Sequence, residues 1–245
     1  MKVEILPDLE TLSRKAAEIF LGLSEEYIAR KGRFAVAVSG GCTPIRLYSL
    51  LGSEDYRERI DWRYVHFFWA DERFVPHDHT ESNYRVLKEN LLGRIPIPSE
   101  NVHAVGTDES SISTSVRTYE NEIKQFFKLS ENKLPEFDLI LLGMGEDGHT
   151  ASLFTGTEVL KEKDRLVASV RDHEHNYPRI TLTLPVINKA ENIAFLISGK
   201  NKAPVVKKVI QDKDACLPAS LVEQEKGNLF FLLDEDAGMF LLGKV

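Results

Sequence analysis

Cysteine is nearly missing: Cys42 and Cys216 are the two in 245 residues, too few for a disulfide framework and at a spacing that fits no zinc-knuckle or Cys-x-x-Cys pattern. A reducing cytoplasm is therefore the expected compartment. No apolar run approaches the ~20 residues that cross a bilayer. The chain starts Met1-Lys-Val-Glu-Ile-Leu-Pro7, with mixed charge instead of a basic end followed by an apolar stretch, so neither a membrane span nor a secretory leader is expected. Positive charge is scarce too. With 31 Lys and Arg against 38 Asp and Glu, the formal charge is −7, which argues against a broad nucleic-acid face. Any anionic ligand must be held by local cations and backbone amides. Repeats, low-complexity tracts and long Pro/Ser linkers are also missing. At 42% hydrophobic the chain can bury a full core, and one α/β domain over residues 1–245 is expected. No interface pattern stands out, so a monomer is expected.

What is present is an alternation of apolar runs with amphipathic segments. Runs suited to buried parallel strands lie at Phe34–Val38, Val65–Trp69, Phe137–Leu142, Ile193–Ile197 and Leu229–Leu233. Helical periodicity runs from about Leu9 to Ala29 after Asp8 as N-cap, and from about Ser82 to Leu92, Ile112 to Phe127 and Ala203 to Ile210. The alternation predicts an open, mostly parallel sheet with helices on both faces, a modified Rossmann-like α/β fold with right-handed crossovers. Leu166–Val170 and Arg179–Leu184 read as short peripheral strands.

Four polar clusters each follow the C-terminal end of a predicted strand, the edge at which open α/β sheets bind ligands. Ser39-Gly-Gly-Cys-Thr-Pro44 joins a strand to a helix with Thr43 expected at the N-cap and Pro44 at N1, so free N–H groups and the positive helix end face the loop. A phosphate suits that loop, although a tight βα turn without a ligand would read the same. It is neither a Walker loop nor a complete Gly-x-Gly-x-x-Gly fingerprint. Cys42 is read as a small residue filling the turn, because no base is placed beside it. In Asp71-Glu-Arg73, Arg73 has the planar fork that grips phosphate oxygens, while the acids can orient the guanidinium or a sugar hydroxyl. Arg179 and Lys202 are further candidate cations. The fourth cluster, Gly143-Met-Gly-Glu-Asp-Gly-His149, places a carboxylate and an imidazole two residues apart in a loop where glycines let the backbone approach a ligand. His149 is the candidate base. Asp147 either fixes its tautomer or only stabilises the turn. His77-Asp-His79 and His173-Glu-His175 offer ring nitrogens, but both pairs fall in predicted loops and no metal is expected.

At these motifs the chain resembles the 6-phosphogluconolactonase family, part of the larger group that includes glucosamine-6-phosphate isomerase/deaminase. The resemblance rests on Ser39-Gly-Gly41, Asp71-Glu-Arg-Phe-Val-Pro76, Glu81-Ser-Asn-Tyr84, Gly145-Glu-Asp-Gly-His-Thr-Ala-Ser-Leu-Phe154, Pro178-Arg-Ile-Thr181 and Gly199-Lys-Asn-Lys202. It implies hydrolysis of 6-phospho-D-glucono-1,5-lactone to 6-phosphogluconate in the oxidative pentose phosphate pathway. By the same similarity His149 matches the catalytic histidine, Arg73, Arg179 and Lys202 the basic binding positions, and Ser39, Gly40, Gly41 and Thr43 the phosphate-side loop. Cys42 departs from the usual serine, which matters little where backbone amides bind the anion.

The chemistry asks for little. A lactone is an activated ester, so an enzyme need only orient it, take a proton from the attacking water and stabilise the oxyanion. No cofactor is required, and the expected partner is the small-molecule sugar-phosphate lactone alone, with no nucleic acid or membrane. The nearest rival is an amino-sugar-phosphate isomerase/deaminase, whose relatives usually carry Asp-Glu-Tyr at Asp71-Glu-Arg73 and Asn-Glu-Pro at Phe154-Thr-Gly156. A non-catalytic sugar-phosphate sensor would need the cations but not the base.

Overall fold

The structure, a computed structural model, describes residues 1–171, 176–224 and 227–241. Among them the strands are β1 (Lys2–Leu6), β2 (Phe34–Val38), β3 (Val65–Trp69), β4 (Asp71–Arg73), β5 (Val102–His103), β6 (Leu139–Leu142), β7 (Val167–Val170), β8 (Arg179–Leu182), β9 (Asn192–Ile197) and β10 (Asn228–Asp234). The α-helices are α1 (Leu9–Lys31), α2 (Thr43–Leu51), α3 (Glu54–Arg57), α4 (Asn83–Asn90), α5 (Ile112–Phe127), α6 (Leu184–Asn188), α7 (Ala203–Lys207) and α8 (Glu235–Gly238).

Seven strands form a parallel sheet in the order β1-β10-β9-β6-β2-β3-β5. Every residue of β2, β6 and β9 is buried, as expected of central strands covered by helices on both faces. The expected α/β architecture is therefore the observed one. From β2 the chain steps outward to β3 and β5, then returns to β6 on the other side of β2 and moves on to β9 and β10. The direction reverses between β2 and β6, and a crevice opens at the carboxyl ends of such a pair.

Local signals explain the helix ends. Asp8 accepts from Thr11 N at 2.7 Å to start α1, and Gly32, at φ +71°, closes it by donating to Ile28 O at 2.9 Å. The predicted helix over Ala203–Ile210 is shorter: α7 ends at Lys207, and a wider π turn takes Lys208–Asp212. The two expected peripheral strands do not join the main sheet. They pair antiparallel with each other and with β4 in a separate sheet of order β4-β8-β7. Asp71-Glu-Arg73, read from sequence as a charged cluster after a strand, is itself a strand. Its register pairs Asp71 with Thr181, Glu72 with Ile180 and Arg73 with Arg179.

A polar network closes the amino-terminal edge of the parallel sheet. Asp138, just before β6, accepts from Lys31 Nζ and from Ala35 N at 2.7 Å each. Burial pushes its carboxyl above the ordinary value, against the pull of those two donors. Lys31 also reaches Glu191 at 3.1 Å, Arg30 reaches it at 3.2 Å, and Asn192 donates to Tyr27 Oη and Asp138 O at 2.9 Å.

Candidate active site

A cavity of about 200 Å³ lies at the carboxyl ends of β2 and β6. One wall is the loop after β2. Gly41 turns it at φ +93°, a conformation that costs glycine nothing. A Cβ on Gly40 would sit 1.8 Å from Asn83 Oδ1, so that position is glycine by close approach. The early turn also corrects the expected cap. Helical geometry begins at Cys42, which occupies the N-cap without a side-chain bond, and Thr43 is the first helical residue. The N–H groups at that helix end therefore have no capping side-chain bond from the N-cap residue. Ser39, Gly40, Gly41 and Thr43 all line the cavity. So does the thiol-bearing Cys42, which is exposed at the rim and does not fill the turn.

The opposite wall is the loop after β6. Gly145 N donates to His149 O at 2.9 Å, and Gly148, at φ +82°, donates to Gly145 O at 3.1 Å. His149 Nδ1 lies 2.6 Å from Asp147 Oδ1. Burial works against ionising Asp147, but the hydrogen bond and charge of His149 outweigh it and hold the carboxyl down to about 2. An ionised Asp147 must accept, so Nδ1 carries the proton and Nε2 is the basic nitrogen. Asp147 stands behind the imidazole; His149 lines the cavity itself. The ring packs at 4.8 Å, centroid to centroid, on Phe154, above which Arg179 Cζ lies at 5.6 Å.

The cations arrive from two further directions. The cross-strand pairing of Arg73 with Arg179 puts both guanidinium groups on one face of the small sheet, with Asp71 beside them. Arg179 is 9% exposed, and its nearest carboxylate contact, Asp71, is at 3.8 Å. Burial lowers its pKa from the usual guanidinium value; Asp71 pulls it up and Arg73 pushes it down. A bound anion would relieve that tension. Arg73 Nη1 donates to Glu81 O at 2.7 Å. Lys202 enters from the turn after β9, which Asp234 fastens through Ser198 Oγ and, at 3.0 Å, Gly199 N. Among the described residues Lys202 has no carboxylate partner. Asn201 ties this turn to Glu146 of the His149 loop at 2.5 Å.

Every sequence-predicted site residue thus converges on one cavity, Asp147 through its bond to His149. Sequence reasoning missed Asn83, which lines the cavity and donates through Nδ2 to Asp71 O at 2.8 Å and Asp71 Oδ1 at 3.3 Å. It also missed Ser152, whose hydroxyl donates to Asp71 Oδ2 at 2.7 Å. The helix-start signal Ser82 before Asn83 was available, since Ser82 does cap α4. Nothing local marked Ser152. Of the histidine pairs, His77 lies 2.8 Å from Val105 O and stacks on Tyr84, and His79 accepts from Glu81 N. His173 and His175 lie outside the described residues.

The profile of the glucosamine-6-phosphate isomerases/6-phosphogluconolactonase family matches residues 7–231. The chain belongs to this family. A 6-phosphogluconolactonase of Nostoc sp. is 39% identical over 96% of both chains, and one of Synechocystis sp. is 36% identical over 97% of both. The solved 6-phosphogluconolactonase of Trypanosoma cruzi superposes with a TM-score of 0.87 at 31% identity, covering 99% of this chain and 97% of its own.

Proposed function

We propose that this chain hydrolyses 6-phospho-D-glucono-1,5-lactone to 6-phosphogluconate, the lactone step of the oxidative pentose phosphate pathway. One observation carries the reading: an imidazole oriented by a carboxylate at 2.6 Å shares a cavity of about 200 Å³ with Arg73, Arg179 and Lys202. The names of its full-length relatives support it. Neutral His149 takes a proton through Nε2 from a water that attacks the lactone carbonyl. The imidazolium, stabilised by Asp147, then protonates the ring oxygen as the C–O bond breaks. Arg73, Arg179 and Lys202 hold the phosphate with the N–H groups of the loop after β2.

The rival isomerase/deaminase reading is disfavoured by Arg73 and by Phe154-Thr-Gly156 where those relatives carry tyrosine and Asn-Glu-Pro. The test is a coupled assay on freshly generated lactone, corrected for spontaneous hydrolysis. Turnover above background is expected. Ammonia release from glucosamine 6-phosphate with no lactone turnover would reverse the assignment, and phosphate-ligand binding with neither activity would make the chain a sensor.

A further inference from the structure

Glu72 points away from the cavity, on the other face of β4 from Asp71 and Arg73, and is 1% exposed. Its carboxylate nevertheless gathers the cavity's parts. Oε1 accepts from Arg73 N and Asn83 N at 2.7 Å each, and Oε2 accepts from Tyr84 N at 2.7 Å and Ser82 Oγ at 3.2 Å. These donors include the first N–H groups of α4; burial outweighs their pull and pushes the Glu72 carboxyl up to about 7.

Two consequences reach the ligand space. Glu81, next to the clamped turn, supplies the carbonyl that holds the Arg73 guanidinium at 2.7 Å. Asn83, whose backbone Glu72 grips, spans from Asp71 to Gly40, its Oδ1 occupying the space where a Gly40 side chain would be. A cation on one wall and the glycine loop on the other are therefore registered through one buried carboxylate.

We infer that Glu72 is a positioning residue, setting the separation of the Arg73 guanidinium from the Gly40–Gly41 loop and so the affinity for the phosphoryl group of the ligand. The inference rests on the proposed sugar-phosphate reading for its substrate, but its geometry concerns any phosphorylated ligand. Glutamine at 72 keeps the shape and turns an acceptor oxygen into a donor facing backbone N–H groups.

The test compares Glu72→Gln with the parent on the phosphorylated lactone and on unphosphorylated glucono-1,5-lactone, alongside calorimetric binding of 6-phosphogluconate. For the phosphorylated lactone KM should rise about tenfold or more, with kcat within about threefold, and product affinity should fall by the same factor. The unphosphorylated lactone should lose less than about twofold in kcat/KM, because it has no phosphate to place. A folded variant with unchanged KM and product affinity, or with equal losses on both lactones, overturns the inference. Should Glu72→Gln not fold, Ser82→Ala removes one of the donors and should raise KM about two- to threefold; an unchanged KM there overturns it as well. If the parent hydrolyses neither lactone, the functional reading fails separately. Binding of 6-phosphogluconate then decides for Glu72: weaker in the variant supports the inference, and equal or absent in both overturns it.

Discussion

At the amino-terminal edge of the parallel sheet, Lys31, Asp138 and Glu191 each have a polar partner within 3.3 Å. At the carboxyl edge, among the described residues, Ser39 Oγ, Asn83 Oδ1, Arg73 Nε and Arg179 Nε are buried with none. Buried polar groups are ordinarily satisfied, and leaving one unmade costs about 1–3 kcal/mol. One edge therefore spends its polar groups on holding α1 against β2, β6 and β9. The other leaves a hydroxyl, an amide oxygen and two guanidinium nitrogens unpartnered around the cavity, the state that the proposed anion binding calls for.

Breaking each edge should give opposite phenotypes. The largest effect belongs to His149→Ala, which should lower lactone turnover by about 10²-fold or more with an unchanged melting temperature; full activity would reject His149 as the base. Arg179→Ala should raise KM by about tenfold, while kcat falls less, as steady-state kinetics would reveal. Lys31→Met, at the opposite edge, should cost about 2 kcal/mol in urea unfolding by leaving the Asp138 carboxylate short of its cation. Its KM should not move, and a shift there would mean the two edges are coupled. The smallest change is expected from Cys42→Ser: KM within about twofold, since the proposed function assigns the anion to the backbone N–H groups of that loop and not to the thiol.

The same contrast explains what the sequence made legible. The five central strands announce themselves because parallel strands buried on both faces read as unbroken apolar runs, and His149 and Gly40–Gly41 follow two of them directly. β1 was not foreseen: Lys2–Leu6 alternates with charge at the sheet margin and carries no such run. Nor does Asp71-Glu-Arg73 look like a strand, since three charged residues have low β propensity and only the antiparallel partner β8 makes them one. That pairing, which sets Arg73 across from Arg179, spans a sequence separation no periodicity reports. The cap was placed one residue late for a related reason: the positive φ of Gly41 starts α2 early, and glycine does not reveal in sequence which hand it will adopt. Asn83 escaped, and Glu72, which reads with Asp71 as an acid for the Arg73 guanidinium or a sugar hydroxyl, instead accepts from Arg73 N, Asn83 N, Tyr84 N and Ser82 Oγ, because both roles exist only after α4 has docked on β4.

The pairing of β1 with β10, in which Lys2 lies opposite Phe230 and Leu6 opposite Asp234, has a consequence for biosynthesis. Of the described strands β1 is made before any other and its one strand neighbour, β10, after all of them, so β1 must wait, unpaired, while the strands between them assemble. Co-translational assembly can therefore reach the cavity-lining loops after β2 and β6 before that margin is sealed, and chains stalled ahead of Asn228 should present β1 as a sticky, proteolytically vulnerable strand.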